Sequence, residues 1–324
     1  MTKRLNIFSK ATWEKVNPDN KILLDDYILE LKSKKKADGT IYQYTADIKM
    51  FFCYVHDNMK NKSILDLKKR DFRSFFLFLE EKSPARINRV QCSIRNLLEF
   101  CATDDDEYED YDINVMRSIK GLQKEEVRDI YFLTDEEINY ILESLLEQKQ
   151  YQKALYLCLS YESAGRRNEV LQVLKTGFLD NRKTNMVVGK RGKKFQLVYF
   201  SKTIEIAKMY FEQRGEDTIE SLWVVGKGDK LRAASYETLY NWTLGFRSIL
   251  EEKTGNRIDF NPHSLRHSAL ENYENGTHYA LKEIGKEKLD IKVLKVLANH
   301  SSINTTEGYL KDKDTKLLNE TLGL

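Results

Sequence analysis

Two short strings near the end of the chain gather residues that could do chemistry. "NPHSLRHS" places His263 three positions before Arg266 and four before His267, and "LANHSSINTTEGY" places His300 nine positions before Tyr309. Residues three apart share one face of a helix, so His263 and Arg266 would be presented together. The five histidines stand at 56, 263, 267, 278 and 300, so four of them crowd into the last part of the chain. A tyrosine phenol, with an ordinary pKa of about 10, is a weak nucleophile at neutral pH unless its site helps to remove the proton. His263 and His267 at i, i+4 could instead begin a metal site. There is no HExxH, no nearby cysteine and no third ligand at a recognisable spacing, so no metal is expected.

Taken in order, these strings resemble the C-terminal signature of the tyrosine recombinase, or phage integrase, family: an H-x-x-R element, a histidine turn, and a nucleophilic tyrosine nine residues after that histidine. Upstream, "SAGRRNEVLQV" is similar to the family's first arginine box, in which arginine precedes glutamate by three; this selects Arg166 and Glu169, with Arg167 as a second candidate. "VVGKRGKKFQLVYF" resembles the hairpin that delivers the family's lysine, which selects Lys190 with Lys193 in reserve and Lys227 as a competitor. The resemblance implies that Arg166, Lys190, His263, Arg266, His300 and Tyr309 are catalytic and that Glu169 supports Arg166.

The implied reaction is attack of Tyr309 on a phosphodiester, leaving a 3′-phosphotyrosyl link that preserves bond energy for rejoining. Negative charge gathers on the non-bridging oxygens, and the planar donor forks of Arg166 and Arg266 suit that charge better than lysines would. Lys190 would protonate the departing 5′ oxygen, a service typically worth ~100- to 10,000-fold in rate. By the same resemblance His263 manages the nucleophile's proton and His300 hydrogen-bonds the phosphate. With charge stabilised by arginines, neither metal, ATP nor any other cofactor is implied.

The chain departs from the family in three places. Ala164 and Gly165 sit in a shifted register before the arginine, and the lysine hairpin aligns only with an extra residue. His263 and His300 are 37 residues apart, longer than the family spacing, with "ENGTHYALKEIGK" as the insertion. These departures leave an alternative open: a DNA-binding transcriptional regulator, such as a phage or prophage repressor, that keeps the fold without strand exchange.

These residues need elements to position them. In "KILLDDYILELKSKKK", Leu24, Tyr27, Ile28 and Leu31 fall at i, i+3, i+4, i+7, an amphipathic helix ending in Lys34, Lys35 and Lys36. Ile41, Tyr44, Ile48, Phe52 and Val55 mark a second helix, "LDLKKRDFRSFFLFLEE" a third, and Ile87, Val90, Ile94, Leu97 and Cys101 a fourth. The opposite face of the fourth carries Arg86, Arg89, Ser93 and Asn96, residue types that bond phosphates and base edges. These four residues, the three lysines and Lys193 are the expected DNA contacts.

Beyond residue 103 the acidic run "DDDEYEDYD" and a polar stretch to 130 read as a linker, lacking either period. Thr134 and Glu137 fit a capping box that starts a second domain. "TNMVVGKRGKKFQLVYF" reads as a hairpin, "SLWVVGKGDKL" as a shorter strand, and the chain from Tyr236 as mostly helical. The expected architecture is mainly α with a small antiparallel β-sheet: a helical core-binding domain over 1–103, an acidic linker over 104–130, and a catalytic-type domain over 131–324. The resemblance implies that the two domains close as a clamp on duplex DNA, on inverted half-sites, as a homo-oligomer and with accessory proteins, Leu317, Leu318 and Leu322 supplying a protomer contact.

Composition is compatible with this reading. Net charge is only +3, but residues 1–100 hold 20 Lys+Arg against 13 Asp+Glu, a basic front half that suits a polyanion. Cys53, Cys92, Cys101 and Cys158 form no CxxC pair, mostly lie among apolar neighbours and read as reduced thiols. With no apolar run long enough for a membrane span or a signal peptide, a cytoplasmic protein is expected.

Overall fold

The structure is a computed structural model, and it describes residues 7–123, 131–178 and 182–299. The chain divides into two units, Met1–Val127 and Arg128–Leu324, each with its own apolar core.

The first unit is helical: α1 (Lys10–Lys15), α2 (Pro18–Ser33), α3 (Asp38–Asn58), α4 (Lys69–Phe78) and α5 (Pro84–Cys101). Proline opens α2 and α5, where its missing N–H costs nothing, behind Asn17 and Ser83, whose side chains accept from Asp19 N and Arg86 N. The apolar faces meet as their spacing requires. Leu24, Leu31, Ile48, Phe52, Ile87, Val90, Ile94 and Leu97 are all buried. Phe51 anchors the centre, its ring centroid 5.5 Å from Phe72 and 4.7 Å from Phe75; burial of each such ring stabilises the fold by about 1.5–3 kcal/mol.

Up to residue 122 the acidic stretch is part of this unit, which corrects the reading of a linker that begins at 104. Met116 and Ile119 are buried in the core, with Tyr108, Tyr111 and Val115 packed against it. Arg95 donates to the carbonyls of Met116 and Ile119, and Asn88 bonds Leu122 through both its amide nitrogen and its oxygen. The apolar anchors sit at irregular intervals along turns and a short 3-10 helix over Val115–Ser118, so no period announced them.

The second unit is built round α7 (Tyr151–Glu162), buried at every position from Ala154 to Glu162. Before it comes α6 (Asp135–Glu147), started by the Thr134–Glu137 box: Thr134 N donates to Glu137 Oε2 at 2.8 Å and Glu137 N to Thr134 Oγ1 at 3.2 Å. After it come the short α8 (Arg167–Leu171), the hairpin β1 (Lys183–Val188) and β2 (Lys194–Val198), and α9 (Ser201–Arg214). A second hairpin, β3 (Val224–Val225) with β4 (Arg232–Ala233), leads to α10 (Tyr236–Thr254), α11 (Pro262–Asn275), α12 (Ala280–Glu283) and α13 (Ile291–Leu297). The β structure among the described residues is thus two separate antiparallel pairs, β1–β2 with Val187 opposite Phe195 and β3–β4 with Val224 opposite Ala233, and one isolated antiparallel bridge between Leu174 and Ser221. Gly192, at φ +74°, closes the first hairpin in the left-handed conformation that glycine tolerates.

No helix among the described residues is long and apolar enough to cross a membrane. The four cysteines are free thiols, of which Cys92 is exposed and the others buried.

Candidate active site

The R-x-x-E spacing turns out to be the geometry of a helix start. Arg166 caps α8, and Glu169 reaches back to it: Arg166 N donates to Glu169 Oε2 at 2.8 Å, and Arg166 Nη1 to Glu169 Oε1 at 2.9 Å. Glu169 is buried, while Arg166 keeps a quarter of its side chain exposed. Arg167, the rival in sequence, points elsewhere, its guanidinium 3.4 Å from the centre of the Tyr236 ring.

Arg266 approaches the same carboxylate from α11. That helix is started by Asn261, whose Oδ1 accepts from His263 N at 2.8 Å, with Pro262 in the first turn. The Arg266 side chain is 1% exposed; Nη1 donates to Ala164 O at 2.6 Å and Nη2 to Ala298 O at 2.5 Å, while Nη1 lies 3.9 Å from Glu169 Oε2. Ala164 adopts φ +48°, an unusual turn for a residue with a Cβ. The shifted Ala-Gly register before Arg166 thus supplies a carbonyl to Arg266.

His263, three residues before Arg266, is exposed, with its ring centroid 4.8 Å from that of His267 in an edge-on contact. The protein packed around it nevertheless pushes its pKa down to about 4, through desolvation first and then the positive surroundings of His267, Arg266 and Arg166. An imidazole held neutral at pH 7 is able to accept a proton.

The lysine hairpin starts beside Glu169. A Cβ added at Gly189 would lie 3.2 Å from Glu169 Oε1, 3.0 Å from Asn299 Nδ2 and 2.8 Å from Phe195 Cε1, so only glycine lets the strand end approach this closely. Gly189 N donates to Lys193 O at 2.8 Å, closing the turn on which Lys190 and Lys193 stand exposed. Arg166, Glu169, Arg266, His263, the end of α13 and the root of the Lys190 turn therefore converge. His300 and Tyr309 lie outside the described residues. Among the described residues no group of three or more His, Cys, Asp or Glu side chains could hold a metal ion.

The sequence model of the phage integrase family matches residues 131–316, a span that takes in this entire site. The chain belongs to the phage integrase family. This integrase-family chain is 26% identical over 316 residues to the SPbeta prophage-derived recombinase-like protein YomM of Bacillus subtilis strain 168, covering 92% of this chain and 89% of that protein. Its fold is similar to that of the XerH site-specific recombinase solved as a post-cleavage complex on a palindromic difH substrate, with TM-score 0.67 and 20% identity over 90% of this chain and 82% of that one. It is likewise similar to lambda integrase (75-356), solved as a dimer bound to a COC' core site, with TM-score 0.66 and 15% identity over 89% of this chain and 93% of that one.

In the first unit of this chain the expected DNA contacts divide. Lys34, Lys35 and Lys36 are exposed beyond α2, Lys34 paired with Glu30. Arg86 and Arg89 are partly exposed but held by Asp47: Arg86 Nη2 lies 3.0 Å from Oδ1 and Arg89 Nε 3.2 Å from Oδ2. Ser93 is a correction. It is fully buried, donating to Asp47 Oδ2 at 3.1 Å, and cannot reach DNA. Asn96 is half-buried and donates to Tyr44 Oη at 3.1 Å. The missed residue is Asp47, and its signal was an acid set beside Ile48 on the apolar side of α3, where an unpaired carboxylate would be costly.

Proposed function

We propose that this chain is a site-specific tyrosine recombinase that cuts and rejoins duplex DNA through a 3′-phosphotyrosyl intermediate formed by Tyr309. The observation that carries the reading is the convergence of Arg166 and Arg266 on one buried carboxylate, with neutral His263 alongside. Glu169 and the backbone carbonyls orient the guanidiniums, and Arg166 offers its accessible donors to the scissile phosphate. His263 takes the phenolic proton, Lys190 protonates the leaving 5′ oxygen, and His300 adds a further hydrogen bond to the phosphate. No step assigned to these residues calls for a metal or nucleotide cofactor.

The relatives support the recombinase over the regulator weighed against it, being themselves a recombinase-like protein and recombinases. The lambda integrase dimer on a core site and XerH on a palindromic substrate support binding to inverted half-sites as a homo-oligomer. Such a protein works in the cytoplasm, where its DNA lies.

The test is direct. Bound duplexes are selected from a random-sequence library, a nick is placed near the centre of the recovered site, and the reaction is stopped with detergent. A covalent protein–DNA adduct should form and vanish in Tyr309→Phe; tight binding without any adduct would overturn the proposal. Affinity for the same duplex should fall steeply with salt, because each neutralised phosphate releases counterions.

A further inference from the structure

The insertion that lengthens the interval between His263 and His300 folds back onto the elements of the site. Gly276, at φ +80°, ends α11 and turns the chain. The His278 ring then slides between two tyrosines, 4.0 Å from the Tyr161 centroid at 10° and 3.7 Å from the Tyr273 centroid at 7°. Tyr161 belongs to the end of α7, five residues before Arg166, and Tyr273 to α11, seven residues after Arg266. His278 therefore joins the two helices that lead to the two arginines.

Its neighbour extends the connection. Tyr279 Oη donates to Glu162 Oε1 at 2.9 Å, and the other oxygen of Glu162 accepts from Phe200 N at 2.7 Å, at the junction of β2 with α9. Tyr273 Oη donates to Glu162 O at 2.8 Å, and Tyr279 N donates to Asp135 Oδ1 at 3.0 Å. Further on, Glu283 accepts from Ser201 N at 3.0 Å and pairs with Arg182, next to β1, at 2.7 Å. One short segment thus touches the end of the helix before Arg166, the helix of His263 and Arg266, and both ends of the lysine hairpin.

We infer that residues 276–284 are a brace that sets the two arginines and the lysine hairpin in register, with His278 and Tyr279 as positioning residues. The energetic logic is that of preorganisation. A misplacement of about 1 Å at a reacting centre can cost ~100-fold in rate without loss of substrate binding. The flat His278 ring fills the space between two parallel rings, which a branched aliphatic side chain cannot do. Its Nδ1 also accepts from Ala280 N at 3.1 Å, starting the turn into α12.

The inference rests on the proposed strand-cutting role, and the experiment separates the two. His278→Leu, His278→Phe and Tyr279→Phe are compared with wild type on the nicked duplex at saturation, measuring adduct formation in a single turnover, duplex affinity and melting temperature. His278→Leu should lower the rate constant at least about tenfold with affinity held within about twofold, a loss of orientation rather than binding. His278→Phe, which restores a flat ring, should recover to within about threefold, and Tyr279→Phe should fall between them. In parallel, the Nε–H signals of Arg166 and Arg266, assigned from Arg→Lys variants, are followed by nuclear magnetic resonance; they should move in His278→Leu and stay near wild type in His278→Phe. If wild type forms no adduct, the strand-cutting reading fails while the arginine signals still decide on the brace. Unmoved arginine signals in His278→Leu, a wild-type rate in that variant, or rate and affinity falling together would overturn it.

Discussion

Arg266 Nη1 stands 3.9 Å from Glu169 Oε2, and both side chains are at most 2% exposed. The same carboxylate holds Arg166 at 2.9 Å. One buried acid therefore faces two guanidiniums that arrive from helices almost 100 residues apart in sequence, and it offsets the repulsion that would otherwise drive those cations away from each other.

Glu169→Ala should be the most damaging single change near the site. Removing one partner of a buried charge group typically costs about 3–5 kcal/mol, which in a unit of this size lowers the melting temperature by roughly 2–4 °C per kcal/mol. Glu169→Gln keeps one carbonyl acceptor and should melt closer to wild type, while still forming adduct more slowly. Thermal melts and single-turnover assays on both variants check this ordering, and equal melting of Glu169→Ala and wild type would contradict it.

Arg266→Lys preserves charge but not the fork. Arg266 reaches Ala164 O and Ala298 O with two different nitrogens, and a lysine ammonium is a compact point charge that does not reproduce that planar arrangement. The expected result is a loss of adduct formation of about 100-fold, because the fork ties the Ala164 turn that precedes Arg166 to the end of α13 and a shift of about 1 Å there misplaces Arg166, with duplex affinity little changed. A variant within a few-fold of wild type would mean that charge alone suffices.

Much of this was legible in the sequence because helical spacing is itself geometry. Leu24, Ile48, Ile87 and Leu97 became core because their intervals place them on one face, and Arg166 with Glu169 three residues on is a helix first turn. What stayed hidden depends on long-range placement. Ser93 shares a face with Arg89, but nothing local says that Asp47 of α3 lies against it. Whether Arg166 or Arg167 faced the site turned on Tyr236, some 70 residues away. The role of His278 could not be read because the two tyrosines that enclose it, Tyr161 and Tyr273, come from different helices.

Asp47 gives a prediction for the first unit. Its carboxylate is fully buried and its pKa is raised, desolvation outweighing the lowering by Arg89 and Ser93. Asp47→Ala leaves Arg86 and Arg89 without their acceptor and a cavity beside Ser93, so the first unit should lose about 1–3 kcal/mol, the cost of unsatisfied groups where the arginines are still partly wetted. Chemical denaturation followed by the Trp13 fluorescence, which belongs to this unit, measures it. Arg86→Ala and Arg89→Ala should each weaken duplex binding as well, whereas Ser93→Ala should change stability and leave affinity and its salt dependence alone.

His263 should titrate near pH 4 in the free protein, well below its ordinary 6.5. The sign follows from proton counting: between about 4 and 6.5 the unfolded chain binds the proton and the folded chain does not, so this group makes stability rise with pH across that window. The contribution is present above 6.5 and lost as pH falls through 4. A nuclear magnetic resonance titration of the His263 ring checks the midpoint, which duplex binding should raise because the phosphate favours the imidazolium. A free-protein midpoint above 7, which would leave the ring mostly protonated at neutral pH, would remove the argument for a neutral proton acceptor.

Glu162 works in the opposite direction. Burial pushes its pKa from 4.5 up to about 7, against the lowering by hydrogen bonds from Thr203, Phe200 N and Tyr279, with Glu283 adding to the rise. For an acid with a raised pKa the folded state holds the extra proton, so stability declines as pH climbs from about 4.5 to 7 and stays reduced above it. Asp47 of the other unit also has a raised pKa and contributes to the same curve. The informative quantity is therefore a difference between two proteins. Glu162→Gln cannot ionise, so its melting temperature should fall less than that of wild type between pH 5 and pH 8, the two curves approaching or crossing at the alkaline end. Because Glu162 holds Tyr279 and the start of α9, adduct formation by wild type should weaken over the same interval relative to Glu162→Gln. Parallel stability curves would show that Glu162 is ionised throughout and that the brace carries no proton.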